Sequence, residues 1–364
     1  VTKIFFHVGF HKTGTTSIQE RFYSKKEVLS RHNIRYFHGS GEASHSAAWS
    51  LEGKSWGWKG QGARQTSPHV WRRLVSLLKS NHTDALVSSE FFSQMEVDKI
   101  TRIKQDIGTL DVKIIFTWRP LQDLLASSYQ QYLKYGISVT FDEWLHSIFD
   151  NPGQSSVTPT FWRRHLHGDV MQRWSKVFGA ENISLIVVDP KDPESVFGHF
   201  EKLMSLPQNL LTTDKKKIRN VSLSAEEASL LRTINAKFPR NLGWKKYESS
   251  IRRGAIESLS PERDGALAAR LELPQWIEKS LAEIQEIQHS KIHDSGVEIL
   301  GDFSAAINTV PRWGSSVLPN QVPVSSAAAM LVGSLTPDLS VYTVKSLLYE
   351  VFARISKKMR RKRK

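Results

Sequence analysis

Residues 3–19, KIFFHVGFHKTGTTSIQ, constrain the fold of this chain more than any other stretch. Ile4, Phe5, Phe6 and Val8 make an apolar run of strand length, rich in β-formers. Gly9 and Gly14 then bracket four residues, and a polar helix start follows. A buried strand that turns through glycines into a helix is the opening unit of a parallel α/β sheet. The glycine spacing matches the phosphate loop G-x-x-x-x-G-K-[ST]. Here the rule is broken in one place: Thr15 follows Gly14, and the lysine sits inside the loop as Lys12. Backbone N–H groups at the helix start still suit an anion. Thr15, Thr16 and Ser17 add hydroxyl donors, and the lysine reaches the anion from a different point.

Strand and helix patterns alternate along the first half of the chain. Strands are expected over 3–9, 85–88, 112–117 and 183–188, and helices over 16–32, 70–81, 99–107, 121–135, 141–149 and 170–178. Between them lies a Gly/Ser/Trp-rich stretch, 38–68. This alternation predicts an α/β fold, a parallel sheet with helices on both faces. Sites in such sheets lie beyond the carboxyl ends of the strands, where Gly9, Glu90 and Arg119 all fall. Helices over 225–236, 274–289 and 341–355 then make a helical C-terminal extension. The expected organisation is a main domain over 1–309, with its core in 3–224 and a helical part in 225–309. A Pro/Ser-rich irregular linker, 310–326, leads to an amphipathic helix and basic tail over 327–364.

A second segment sharpens the reading. Residues 112–132 read VKIIFTWRPLQDLLASSYQQY: a buried strand ends at Trp118-Arg119-Pro120, and helical spacing begins at Leu121. Arg119 at a strand end offers a planar, bidentate clamp for phosphate. Ser127, eight residues on, lies about two turns into the helix, with Asp123 on the same helix. HKTGTTS after the opening strand, together with this Arg/Ser pair, resembles the sulfotransferases that use 3′-phosphoadenosine 5′-phosphosulfate (PAPS). The resemblance runs over about 3–224, is strongest at the two motifs, and extends to Arg173-Trp174 and the strand at 183–188.

It implies a P-loop-like sulfotransferase fold and donor contacts from His11, Lys12, Thr13, Gly14, Thr15, Thr16 and Ser17. Arg119 and Ser127 would grip the 3′-phosphate, and Arg219, in the basic run 215–220, would cover it. Two departures stand out. Val188-Asp189 replaces the family's aromatic-bearing strand end, and Ser17 stands where many members carry Trp, so the partner of the adenine is not apparent.

Chemistry assigns the remaining roles. Sulfuryl transfer is an in-line displacement in which positioning and charge stabilisation do most of the catalysis. Lys12 suits the departing oxygen. The sulfuryl group carries less charge than a γ-phosphoryl, so no metal is demanded and none is expected. A general base must take the acceptor proton. Glu90, after the strand at 85–88, and His45 are rival candidates, the first for its setting and the second for its ordinary pKa. The acceptor is expected to be a glycan or small-molecule hydroxyl, with Trp49, Trp56, Trp58 and Trp71 offering flat faces to a sugar.

Composition narrows the classes. The absence of cysteine excludes disulfides, thiol nucleophiles and Cys-ligated zinc. Of the formal charge of +14, residues 357–364 supply seven, which leaves +7 on the body. That excess suits anionic ligands. An amphipathic helix ending in KKMRRKRK is able to touch an anionic membrane surface, whereas a packed helix with a solvated tail is the plainer arrangement. No zinc-finger, RRM or helix-turn-helix signature supports nucleic-acid binding. With no charged-then-apolar leader visible, a cytoplasmic enzyme is expected, in peripheral reach of the inner membrane face. Two other classes stay open: a P-loop kinase or NTPase with Asp189 on magnesium, and a basic adaptor acting through the tail.

Overall fold

The structure is a computed structural model and describes residues 2–38, 44–55, 65–150, 152–212, 222–259, 270–342 and 344. Its strands are β1 (Lys3–His7), β2 (Ile34–Tyr36), β3 (Asp84–Ser88), β4 (Asp111–Trp118), β5 (Ile183–Val187) and β6 (Glu298–Leu300). They form one sheet in the order β2-β3-β1-β4-β5-β6, and every pairing is parallel. The expected α/β fold is therefore the observed one.

Period-two side-chain alternation explains how both faces are covered. Phe5, Leu86, Ile115 and Ile186 point to one face, against Ile18, Phe22, Leu29, Phe197 and Phe200 from the helices Thr15–Ser24, Lys26–Arg31 and Ser195–Leu203. Their neighbours Ile4, Phe6, Val87, Ile114 and Phe116 point to the other. There Leu74, Ile100, Ile103 and Trp174 meet them from the helices His69–Lys79, Val97–Ile107 and His167–Phe178. Each such buried side chain contributes about 1.5–3 kcal/mol, so a one-residue slip in register would forfeit a whole face.

A third apolar cluster lies apart from the sheet. The helices Leu121–Lys134 and Phe141–Phe149 bring Leu125, Tyr129, Trp144 and Leu145 together with Leu231, Trp244, Tyr247 and Leu281 from the later helices. The helical core thus draws on chain from both sides of residue 224. Residues 310–323 hold no helix or strand, yet they are pinned to this body. Leu273 N–H donates to Arg312 O (3.0 Å), Gly314 N–H to Leu273 O (2.9 Å), and Ser316 Oγ–H to Asp142 Oδ1 (2.9 Å). The helix Val324–Leu335 then crosses the π-helix Glu248–Ile256 so closely that a Cβ at Gly254 would lie 2.4 Å from Gly333 O.

The structure corrects several local expectations. The helix over 16–32 is two, bent at Lys25, whose N–H still bonds to Arg21 O (3.0 Å). With neither Gly nor Pro at the bend, no local signal marks it. β2 and β6, of three residues each, are too short to show a period. The Trp-rich stretch contains a helix, Ser44–Glu52. Most of the expected 341–355 helix and the whole 357–364 tail lie outside the described residues. Among the described residues no helix is long and apolar enough to cross a membrane.

Candidate active site

The connection leaving β1 runs to one edge of the sheet, through β2, and the connection leaving β4 runs to the other. The crevice of a doubly wound sheet opens between two such strands, and the glycine loop sits there. Val8 and Gly9 N–H both donate to Ile115 O (2.9 and 3.3 Å), and Phe10 N–H donates to Thr117 O (3.3 Å). The loop is thereby laid along β4 past the end of β1. Gly9 takes φ +56°, and a Cβ there would lie 2.8 Å from Thr15 Cγ2. Lys12 also has a left-handed φ, +69°, a conformation that costs a non-glycine residue about 1–3 kcal/mol.

Beneath the loop runs a buried polar row. Thr13 Oγ1 donates to Phe10 O (2.8 Å) and lies 2.8 Å from Thr117 Oγ1, which lies 3.3 Å from His7 Nε2. His7 Nδ1 is 2.8 Å from Ser88 Oγ. Counting protons fixes the direction. Thr13 has given its hydrogen to Phe10, so Thr117 donates to Thr13, His7 Nε2–H donates to Thr117, and Ser88 donates to His7 Nδ1. Burial drives the His7 pKa down to about 3, which keeps the ring neutral as the row requires. Thr13 is one of the expected donor contacts, and its hydroxyl fastens the loop to the sheet.

Above the loop the side chains are of another kind. The helix Thr15–Ser24 starts at Gly14 with no side-chain cap, and Thr16 and Ser17 are exposed on its first turn. Its free N–H groups form a natural anion seat. Half-buried Lys12 faces Glu90 electrostatically; burial first, and then the charge of Lys134, bring its pKa down from 10.5 to about 8. His11 Nε2 is buried without a hydrogen-bond partner. Burial and the surrounding charges of Arg164, His165, His45 and Lys12 hold its imidazole neutral, well below 6.5.

On the β3 side, Glu90 opens a short 3-10 turn capped by Ser89. Gln19 Nε2–H donates to Glu90 Oε2 (3.2 Å), and His45 Nδ1 lies 3.9 Å from the same oxygen and 2.7 Å from Ser89 Oγ. The two candidate bases are therefore neighbours in one cluster. Trp49 joins them through Phe91, its ring centroid 5.1 Å away. Trp71 does not: it is buried in the sheet core and donates to Asp106 (2.7 Å). Trp56 and Trp58 lie outside the described residues.

On the β4 side, Arg119 Nη2–H donates to Asp123 Oδ2 (3.3 Å), while its Nε is buried and unpartnered. Ser127 lies one helical turn beyond Asp123, its hydroxyl half-buried and bonded to Leu124 O (3.0 Å). A guanidinium with an orphaned buried N–H, beside a hydroxyl held only by its own helix, fits a phosphate group. Arg219 and the 215–220 run lie outside the described residues.

Sequence reasoning missed Gln19, which donates to Glu90, and Lys134 and Arg164, whose charges act on Lys12 and His11; helices carry all three. Nothing in their local sequence marks them. Among the described residues no cluster of three His, Cys, Asp or Glu side chains offers a metal site. No protein-family model matches the chain, and no curated protein matches it in sequence. Among solved structures, a sulfotransferase from Alicyclobacillus acidocaldarius is similar at 17% identity, over 59% of this chain and 87% of that one, with a TM-score of 0.40. An overlap of that size assigns no residue its role.

Proposed function

We propose that this chain transfers a sulfuryl group from PAPS to a hydroxyl of a glycan or other alcohol. One observation carries the reading: a phosphate-type loop with its lysine displaced to Lys12, flanked by Glu90 with His45 on one side and by Arg119 on the other. The bound donor supplies the sulfuryl group and a phosphate leaving oxygen. Lys12 and the uncapped helix start stabilise charge on that oxygen as the sulfur–oxygen bond breaks. Glu90 takes the proton of the acceptor hydroxyl as its oxygen bonds to sulfur. His45, anchored to Ser89, orients the acceptor beside it. Arg119 and Ser127 hold the 3′-phosphate of the donor.

The nucleotide kinase or NTPase alternative leaves Thr15 unexplained where such loops place their phosphate-binding lysine. Asp189, its candidate magnesium ligand, is exposed past β5 and accepts from Lys191 N–H (2.7 Å). A thermal-shift comparison tests the proposal. Adenosine 3′,5′-bisphosphate is expected to raise the melting temperature and ATP–Mg to leave it unchanged. An equal or larger effect of ATP–Mg would overturn the assignment.

A further inference from the structure

The helix Val324–Leu335 has two unlike faces, and neither carries a charged side chain. Inward, Ser326, Ala329, Met330 and Gly333 meet the helical body. Ser326 Oγ–H donates to Glu227 Oε1 (3.1 Å), Ser258 Oγ–H donates to Ala329 O (2.7 Å), and Met330 and Gly333 are buried. These contacts fix which way the helix is turned. Outward, Val324, Ala328, Leu331, Val332 and Leu335 recur at the spacing of a single helical face. All five are exposed: Val324 to 84%, Leu331 to 62%, Val332 to 60% and Leu335 to 74% among the larger ones. Leu339, just beyond, adds another aliphatic side chain at 58%. Ser325 alone is polar among the exposed residues of the helix. An apolar stripe held facing water is unfavourable, and it marks a surface that an apolar phase or partner covers.

Two features choose the occupant. The first is side-chain type: the stripe is Val, Leu and Ala, with none of the Tyr, Trp or Arg that anchor protein interfaces. The second is charge. Over 339–364 the sequence holds nine Lys or Arg and one acidic residue, Glu350, and seven of the basic residues fall in 357–364. A second copy would bring a second such run into the complex, like charge with like charge. An anionic lipid surface meets both features, with acyl chains for the stripe and headgroup charge for the basic run. The carboxylate nearest the stripe in sequence, Asp338, is held by Arg253 at 3.2 Å and so does not oppose such a surface.

We propose that the helix Val324–Leu335 docks this protein on an anionic lipid surface, its outward stripe entering the interface while the basic residues of 357–364 pair with headgroups. The inference is independent of sulfuryl transfer and goes beyond it.

The test uses the full chain with vesicles of phosphatidylcholine, with and without phosphatidylglycerol. Co-sedimentation with the anionic vesicles is expected, weakened by salt and lost on pure phosphatidylcholine. Leu331→Gln combined with Leu335→Gln is expected to weaken it roughly tenfold or more, with the melting temperature retained because both side chains are exposed. Val324→Gln, in the first turn, is the milder variant should the pair fail to fold. Because the chain has no cysteine, Leu335→Cys takes an environment-sensitive fluorophore at that position alone, and its emission is expected to move to the blue when anionic vesicles are added. No binding to anionic vesicles would overturn the proposal. So would binding that the glutamine variants leave unchanged, since the basic run would then act alone. A label at 335 already in an apolar setting without lipid would overturn it too, because the chain itself would cover the stripe. A wild-type dimer that Leu331→Gln with Leu335→Gln splits would give the stripe to a second copy instead.

Discussion

His45 Nδ1 lies 3.9 Å from Glu90 Oε2, and Ser89, the residue before Glu90, holds the imidazole at 2.7 Å. Two side chains that come from separate elements, and that look like rivals in the sequence, share one small volume. Their contributions to catalysis are therefore coupled. Glu90→Gln is expected to cut turnover by about a hundred- to ten-thousandfold and to leave bisphosphate binding near wild type. His45→Asn is expected to act mainly on acceptor KM. The double variant should fall short of the product of the two single losses, since residues in contact do not add. Largely active Glu90→Gln beside inert His45→Asn would give the base to His45.

Lys12 makes a double prediction. Lys12→Met is expected to lower turnover by on the order of a hundredfold or more, because a fixed charge at the leaving oxygen is lost. It should also make the ligand-free protein more stable at neutral pH. Burial lowers the pKa of this lysine in the fold to about 8 from 10.5, so the unfolded chain binds more protons between those values. Stability then rises with pH across that window, and the folded state is penalised below it. Melting curves at pH 7 and pH 11 would show the variant's advantage at the first and its loss at the second. The same shift predicts that kcat/KM falls as pH rises through about 8, when free Lys12 loses its charge.

The β4 side is tested by ligand comparison. Arg119→Ala and Ser127→Ala are expected to weaken adenosine 3′,5′-bisphosphate more than adenosine 5′-phosphate, by about 2 kcal/mol for the arginine. Calorimetry on both ligands measures the difference. If each variant loses equal affinity for the two, the contact is elsewhere on the nucleotide.

Thr13→Val keeps the shape of the side chain and removes its hydroxyl. Phe10 O loses its donor and Thr117 loses its acceptor, both in a buried setting, so the chain should lose about 1–3 kcal/mol of stability. Chemical denaturation measures it. A role limited to touching ligand would instead leave the ligand-free protein unchanged.

How much of this was readable beforehand follows physical lines. β1, β4 and β5 are buried on both faces and advertise themselves as apolar runs, and the glycines of the loop mark where the chain must turn. Gly9, Glu90 and Arg119 at strand ends then follow from sheet topology alone. β2 and β6 are edge strands of three residues, recruited by pairing and not by their own pattern. Thr13 and Thr15 look equally suited to a ligand in the sequence, but Thr13 faces inward, and only the loop's path along β4 decides that. Lys134 and Arg164 reach the site through the packing of the helical core, which the sequence near them does not encode.

The row from Ser88 through His7 and Thr117 to Thr13 has a consequence for motion. It crosses β3, β1 and β4 in turn before it reaches the loop, so the loop has no freedom that these three strands lack. Glycine-rich loops commonly exchange their amide hydrogens by local opening, far faster than the core beneath them. Here the amides of Val8, Gly9 and Phe10 should exchange only when the sheet itself opens, with protection equal to that of β1. The anion seat would then be rigid before any ligand arrives, and binding would forfeit little entropy in forming it.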